Sequence, residues 1–373
     1  MKKIKFLHTA DIHLDTPFSG MNSNDASKER EYLKVVFKNI IDLALEKNVD
    51  IIIMAGDIFD NMTVHKSTIS FLINEFERLD GKKVFISPGN HDPFNVKSFY
   101  NFITWPDNVY IFKGEMEKVF LEEFDSFIYG AGFRDLYERE TLLEKVKIDK
   151  NYNNILAIHG EIMNSDRKNE YNPISKKDIE DSGFNYIALG HRHTYSGVQN
   201  LCNTYYAYSG CPQGRGFDEE GDKGVIIGEI EDGYVNTEFI KTSIKNYYTK
   251  YIMLDKAETY DEIVKNIVSS FDEKERMSNF YNIILKGTTN EFFVVNEDIL
   301  YNLLKDEFYF IKIKDNTQNY MDIKELSKGN SVKNIFASKI YGKLKNASND
   351  EEKEIYLMAL KEGISALTGE EAD

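Results

Sequence analysis

The sequence predicts an α/β fold, a mixed β-sandwich with helices on its outside. Three observations carry this. Over residues 1 to about 190, short apolar runs that read as strands alternate with stretches at helical spacing, the mark of a layered α/β fold. Five of those runs each lead into a Gly- or Asp-containing loop that holds a residue able to bind a metal ion: KIKFLHTADIH (3–13), VDIIIMAGD (49–57), KKVFISPGNHD (82–92), NNILAIHG (153–160) and NYIALGHRH (185–193). After His193 the chain changes to short strands and turns (YYAYSG, GVIIGEI, YVNTEFI). In open α/β sheets, loops at the carboxyl ends of strands are where ligands gather. The Asp, His and Asn residues at these strand ends are therefore expected on one rim.

The helical stretches follow from their spacing. Residues 27–47 place Leu33, Val36, Phe37, Ile40, Ile41 and Ala44 near a helical period, and residues 66–79 do so with Ile69, Leu72, Ile73 and Phe76. Between 108 and 130, VYIF, KVFL and SFIYG read as a strand-rich edge. A second unit begins near Tyr247. YYTKYIMLD, a helix around 260–271, FYNIILKG, a helix around 297–305 and FYFIKIKD give it a β-α-β-α-β rhythm. The tail reads as two amphipathic helices, marked by Val332, Ile335, Phe336 and Ile340, then by Ile355, Met358, Ala359 and Leu367. Ser348 with Glu351 fits a capping box between them. The predicted divisions are 1–245, 246–325 (a small α+β accessory domain) and 326–373 (a helical segment). The last packs on its own chain or hooks a partner; both readings stay open.

Composition narrows the function classes. A length of 373 residues fits two to three domains, and 42% hydrophobic with 29% charged residues is ordinary for a globular protein. The net charge of −16 argues against a chain that grips nucleic acid alone, because phosphate contacts normally need a basic face. It fits a site whose carboxylates are offset by bound cations. Cys202 and Cys211, the only cysteines, make no disulfide framework and no CxxC zinc signature. The first residues lack a signal-peptide core, and no run approaches the roughly 18 apolar residues of a membrane span. The expectation is a cytoplasmic protein with no membrane segment.

Asp11 and His13, on alternate residues, are expected to point to one side of an extended loop. Asp57 follows Gly56, which allows a sharp turn, and is the candidate bridging carboxylate. Asn90 offers an amide oxygen; His159, His191 and His193 offer imidazole nitrogens. Nitrogen and oxygen ligands without thiolate suit Mn²⁺, Fe or Zn²⁺ better than Cu(I), an iron–sulfur cluster or an all-oxygen Ca²⁺ or Mg²⁺ cage. Two such cations about 3.5–4 Å apart activate a water and neutralise charge on a phosphate ester. His91 is the candidate proton donor or phosphate contact, with Asp92 accepting a hydrogen bond from it to fix its tautomer. Singly these residues say little. As one ordered set they take in five of the seven histidines. His8, inside the first run, reads as a core residue. His65 reaches substrate or starts a solvated helix. Arg215, in PQGRGFDEEGDKG, contacts phosphate or pairs with Asp218 or Glu219.

The set Asp11-x-His13, Gly56-Asp57, Gly89-Asn90-His91-Asp92, His159 and Gly190-His191-x-His193 resembles the calcineurin-like metallophosphoesterases. HTADIHLD, GDIFD and ALGHRH are similar to the SbcD-type DNA repair nucleases, and FLHTADIHLDTPF and YSGCPQGRGFDEEGDKG look closest to their YhaO branch. The resemblance implies a four-layer α-β-β-α sandwich with a capping domain and C-terminal helices that dock on an ATPase. It implies one metal held by Asp11, His13, Asp57 and His193, a second held by Asp57, Asn90, His159 and His191, and His91 as catalytic histidine. It further implies two Mn²⁺ ions, action on DNA ends, a homodimer, and a coiled-coil SbcC- or YhaN-like ATPase partner. Two other functions stay open: a phosphatase for a small molecule or phosphoprotein on the same fold, and a scaffold that recruits an ATPase. The complete ligand set speaks against the scaffold.

Overall fold

The computed structural model describes residues 1–143, 147–163, 169–290, 293–320 and 323–368. The chain divides into two compact units, Met1–Tyr248 and Thr249–Asp373.

The first unit is built on two six-stranded sheets. One runs Tyr234–Lys241, Gly224–Glu231, Ile4–Thr9, Ile51–Met54, Lys83–Ile86, Val109–Ile111. From Ile4–Thr9 to Val109–Ile111 the pairing is parallel, and Gly224–Glu231 is antiparallel to both neighbours. The other sheet runs Gln199–Leu201, Thr204–Tyr208, Tyr186–Gly190, Asn153–His159, Ser126–Ala131, Glu117–Leu121, with its four central strands parallel and both edge strands antiparallel. Parallel strands joined by crossovers are covered on both faces, which is why they read as continuous apolar runs. Ile51–Met54, Asn153–His159 and Tyr186–Gly190 are buried at every position.

Side-chain alternation then sorts each strand between two cores. Phe6, Ile51, Ile53 and Phe85 of the first sheet meet Ile155, Ala157, Tyr186 and Ala188 of the second in the sandwich interior. Leu7, Ile52, Met54 and Val84 face outward onto helices Ser23–Glu46 and Lys66–Glu77, through Leu33, Phe37, Ile40, Leu72 and Phe76. Leu156, Ile158, Ile187 and Leu189 face Ile179 and Phe184, on and after helix Lys176–Ser182. The layers are helix, sheet, sheet, helix, the sandwich that the sequence predicts. The first helix starts four residues earlier than its apolar period shows, because the Asn22 side chain accepts from the amides of Asn24 and Asp25 and caps it there.

The second unit holds a four-stranded sheet of Tyr247–Ala257, Phe280–Asn290, Phe310–Asp315 and Gln318–Tyr320, with helices Tyr260–Ser269, Glu273–Arg276 and Glu297–Leu304 between the strands. Helices Ile323–Leu326, Val332–Lys345 and Asp350–Thr368 follow, around a small core of Leu326, Ala337, Leu360 and Ile364. The cap expected at Ser348 lies one residue on, at Asn349. Asn349 Oδ1 accepts from the Glu352 amide at 2.8 Å, and the Glu352 carboxylate accepts from the Ser348 amide at 2.8 Å. Asn caps as well as Ser, and a cap at Asn349 puts Glu352 at the box position.

Candidate metal centre

The site lies where strands Ile4–Thr9, Ile51–Met54, Lys83–Ile86, Asn153–His159 and Tyr186–Gly190 end. Beyond the strands, the first two loops keep running side by side. The amides of Asp11, His13 and Leu14 donate to the carbonyls of Gly56, Asp57 and Ile58 at 3.0, 3.0 and 2.8 Å. This loop is not the extended segment expected from sequence. Asp11, His13 and Asp57 sit at φ +54°, +50° and +52°, and His191 at +108°, a region that side-chain-bearing residues seldom occupy. Four such residues at one rim are backbone strain held in place by the surrounding sheets. Two glycines make room for the ligands. A Cβ on Gly56 would lie 2.4 Å from His159 Nδ1, and one on Gly89 would lie 2.2 Å from Asp57 Oδ1.

The side chains converge as the strand-end pattern predicts. Candidate ligand atoms of Asp11, His13 and His193 lie within 4.8 Å of one another, and so do those of Asp11, Asp57 and His159. Asp57 Oδ2 stands between the two groups, 3.8 Å from His13 Nε2 and 3.4 Å from His159 Nε2. Asn90 Oδ1 is 3.0 Å from His159 Nε2. The His191 ring packs edge-on against His159 at 5.3 Å, and its amide donates to the Asp11 carboxylate. All seven expected ligands thus lie at one place. Asp11, His13, Asp57, Asn90 and His159 are all buried.

The partners of His91 and His193 fix their tautomers. Nδ1 of His159 faces the Ala55 carbonyl at 2.9 Å, Nδ1 of His91 faces the Asp60 carbonyl at 2.7 Å, and Nδ1 of His193 faces Glu219 at 2.6 Å. A ring nitrogen against an oxygen acceptor carries the proton, which leaves Nε2 of His91 and His193 with a lone pair; His159 has an oxygen at each nitrogen, with Asn90 Oδ1 3.0 Å from Nε2. His13 is different. It is 1% exposed, and neither ring nitrogen has a hydrogen bond, though Nδ1 stands 3.3 Å from Asp60. A buried polar atom without a partner costs about 1–3 kcal/mol. A divalent cation held by His13 and the nearby carboxylates would satisfy Nε2. The donors present therefore fit a metal.

Electrostatics agree. Burial pushes the Asp11 carboxyl up to about 6. Burial acts on Asp57 in the same sense, but His159, His13 and His91 override it and hold Asp57 at about 2. Burial depresses His13 to about 4 and His191 to about 3, so both present the neutral imidazole that binds metal. Burial opposes the charged form of His193 too, yet Glu219 and Asp11 raise it.

His91 donates its amide to Asp57 Oδ1 at 2.9 Å, and its half-buried ring stands edge-on to His13 at 4.8 Å. Asp92 does not serve it. The Asp92 carboxylate accepts from the amides of Ile58, Phe59 and Gly89 and from the Tyr100 hydroxyl, so it ties the Asn90 loop to the Asp57 loop. The proton partner expected of Asp92 is the Asp60 carbonyl instead, because the carboxylate is drawn to three main-chain donors. Arg215 is not open to phosphate: it pairs with Asp60 at 3.0 Å and with Glu219 at 2.6 Å, and Asp218 is not among its hydrogen-bond partners. His65 is exposed at the start of helix Lys66–Glu77, where its amide donates to Asp15. His8 is fully buried and bonded at both nitrogens, to Tyr186 Oη and the Leu189 carbonyl. Sequence reasoning missed Asp60 and Glu161. Asp60 closes GDIFD three residues after Asp57; Glu161 follows His159 by two, pairs with Arg192, and lies 3.8 Å from His191 Nε2.

A family model for calcineurin-like phosphoesterases matches residues 4–210. Among curated proteins, the uncharacterized metallophosphoesterase YhaO of Bacillus subtilis is 29% identical over 303 residues, covering 77% of this chain and 73% of that protein. The DNA double-strand break repair protein Mre11 of Sulfurisphaera tokodaii is 25% identical over 389 residues, covering 95% and 91%. Mre11 of Methanocaldococcus jannaschii is 28% identical over 269 residues, covering 65% and 69%. Among the described residues no helix is long and apolar enough to cross a membrane.

Proposed function

The chain belongs to the calcineurin-like phosphoesterases, and from that premise we propose that it hydrolyses DNA phosphodiesters with two Mn²⁺ ions, as the nuclease subunit of an SbcC- or YhaN-like ATPase complex. It is a metal-dependent phosphoesterase related to the Mre11 and SbcD nucleases. The finer reading places it on the YhaO branch, in keeping with the alignment over 77% of the chain. The observation that carries a two-metal reading is Asp57, whose Oδ2 stands between His13 Nε2 and His159 Nε2. Asp11, His13, Asp57 and His193 would hold one ion, and Asp57, Asn90, His159 and His191 the other. When bound, the ions supply an activated water and charge neutralisation on the phosphoryl oxygens.

The chain's own residues do the rest. Burial of Asp11, Asp57 and His159 keeps bulk water from the ligands, which strengthens electrostatic contacts there. His91 Nδ1 is engaged by the Asp60 carbonyl, so Nε2 is the atom left to hold or move a proton. The DNA substrate is supported by the Mre11 relatives. The ATPase partner is supported by two features. The net charge of −16 gives little attraction for a phosphate backbone, so a partner holds the DNA. The C-terminal helices leave Val332, Ile335, Ile355 and Met358 half exposed or more, an apolar face suited to docking. A homodimer is part of the same proposal.

The test is Mn²⁺-dependent degradation of end-labelled double-stranded DNA by wild type and His91→Ala, with and without the ATPase. Cleavage by wild type, lost by about 10²–10⁴-fold in His91→Ala with Mn²⁺ binding intact, is the expected result. Wild-type hydrolysis of a phosphomonoester with none of DNA, even with the ATPase present, overturns it in favour of a phosphatase.

A further inference from the structure

We propose that Asp60, Arg215 and Glu219 form a charged brace, half-buried to buried, that positions His13 and His193 for one of the two metal ions and leaves the other ion's site untouched. The proposal rests on the two-metal reading above and deepens it. The three side chains are 19%, 12% and 5% exposed. Arg215 lies at the centre, with Nη1 donating to Asp60 Oδ1 at 3.0 Å and Nη2 donating to Glu219 Oε1 at 2.6 Å. Each carboxylate then reaches a histidine: Glu219 Oε1 is 2.6 Å from His193 Nδ1, and Asp60 Oδ1 is 3.3 Å from His13 Nδ1. Arg215 Nη2 also approaches His193 Nδ1 at 3.2 Å. Both nitrogens donate to the same Glu219 oxygen, so this approach is the third side of a triangle.

The two metal positions are supported by different chemistry. His159, on the far side of Asp57, places Nδ1 2.9 Å from the neutral carbonyl of Ala55 in the strand-end loop. His13 and His193 instead face the carboxylates of Asp60 and Glu219, which Arg215 joins although it lies 155 residues from Asp60 in sequence. A carboxylate behind a ligating imidazole fixes its orientation and raises its basicity; loss of such a partner typically weakens metal affinity about 10–100-fold. Arg215 offsets two carboxylates that would otherwise add to the charge of Asp11 and Asp57. A brace with only a structural role would pin the 212–221 loop and affect both metal positions alike.

The experiment is calorimetric titration of the full metal-free chain with Mn²⁺ alone, for wild type, Glu219→Gln and Arg215→Lys. Wild type is expected to bind two ions. Glu219→Gln should weaken one by about 10–100-fold, with the second within about twofold, and Arg215→Lys should weaken the same ion by less. Nitrogen-15 histidine spectra of the metal-free wild type at pH 9 give a reading that needs neither metal nor variants, with His193 protonated at Nδ1. Two ions bound with unchanged affinities in both variants, or equal weakening of both ions, overturns the brace. So does His193 protonated at Nε2, even if the variants fail to fold. A wild type that binds no Mn²⁺ overturns the two-metal reading itself.

Discussion

The two units use the same kinds of element and cover their strands in different ways. In the first, strands Ile51–Met54, Asn153–His159 and Tyr186–Gly190 are buried at every position and lie between layers on both faces. In the second, Phe310–Asp315 alternates buried and exposed residues, and Tyr251, Met253, Ile299 and Leu303 stand in solvent beside those of the C-terminal helices. The contrast shows what the chemistry demands. Four ligand-loop residues at positive φ, and a histidine with both nitrogens unbonded, persist only on a frame that cannot relax around them. A one-sided sheet and a small helical core meet no such demand, and their exposed apolar residues suit contact with other molecules.

Substitutions should break along the same line. The largest effect is expected at Asp57. Asp57→Ala removes the one carboxylate placed between both histidine groups and should lower hydrolysis of a model diester by about 10³-fold or more, since each metal contributes several kcal/mol. Met358→Asp, on the exposed C-terminal face, should leave that rate unchanged; a comparable loss there would erase the contrast. Next comes the core. Ile155→Ala, inside the sandwich, should cost about 2–5 kcal/mol in urea unfolding, and Ile335→Ala about 0.5 kcal/mol or less. Glycines sharpen the contrast further. A Cβ on Gly89 meets Asp57 Oδ1 at 2.2 Å and its amide nitrogen at 2.7 Å, so Gly89→Ala must shift the bridging residue. A displacement of about 1 Å lowers kcat by about 10²-fold. Gly342, within helix Val332–Lys345, has nothing within 4 Å of its Cβ position, so Gly342→Ala should stabilise by about 0.5–1 kcal/mol.

What the sequence revealed follows from range of interaction. The sandwich was legible because parallel strands buried on both faces leave continuous apolar runs such as IIIM and NNILAIH. The convergence of Asp11, Asp57, Asn90 and His159 was legible because strand ends of one fold class share a rim. The left-handed conformations of Asp11 and His13 were not, since they arise from pairing with the 56–58 loop, over 40 residues away. The partner of Arg215 was half legible. Glu219, four residues on, was in view, but Asp60 is 155 residues distant and nothing local marks it. Asp92 misled for the opposite reason. Its neighbour in sequence, His91, was the obvious partner, and three amides and a tyrosine hydroxyl took its carboxylate instead.

Acid separates the units by a smaller effect. All seven histidines precede residue 194, within the first unit. His8 is the one buried there without a place among the expected ligands. Its Nε2–H donates to the Leu189 carbonyl at 3.2 Å, and Nδ1 accepts from the Tyr186 hydroxyl at 3.0 Å, so the neutral ring satisfies both neighbours. Burial depresses it from 6.5 to about 3. In the unfolded chain the ring takes up a proton near pH 6.5; in the folded chain it does so only near pH 3. Its contribution to stability is therefore complete above pH 6.5 and is lost as pH falls towards 3. Between pH 6.5 and 5 the loss amounts to about 2 kcal/mol. A glutamine at this position can donate to Leu189 and accept from Tyr186 without titrating. His8→Gln should unfold in urea much as wild type does at pH 8 and lose stability less steeply between pH 6.5 and 5. An unchanged slope would mean that His8 does not carry the acid sensitivity of the sandwich.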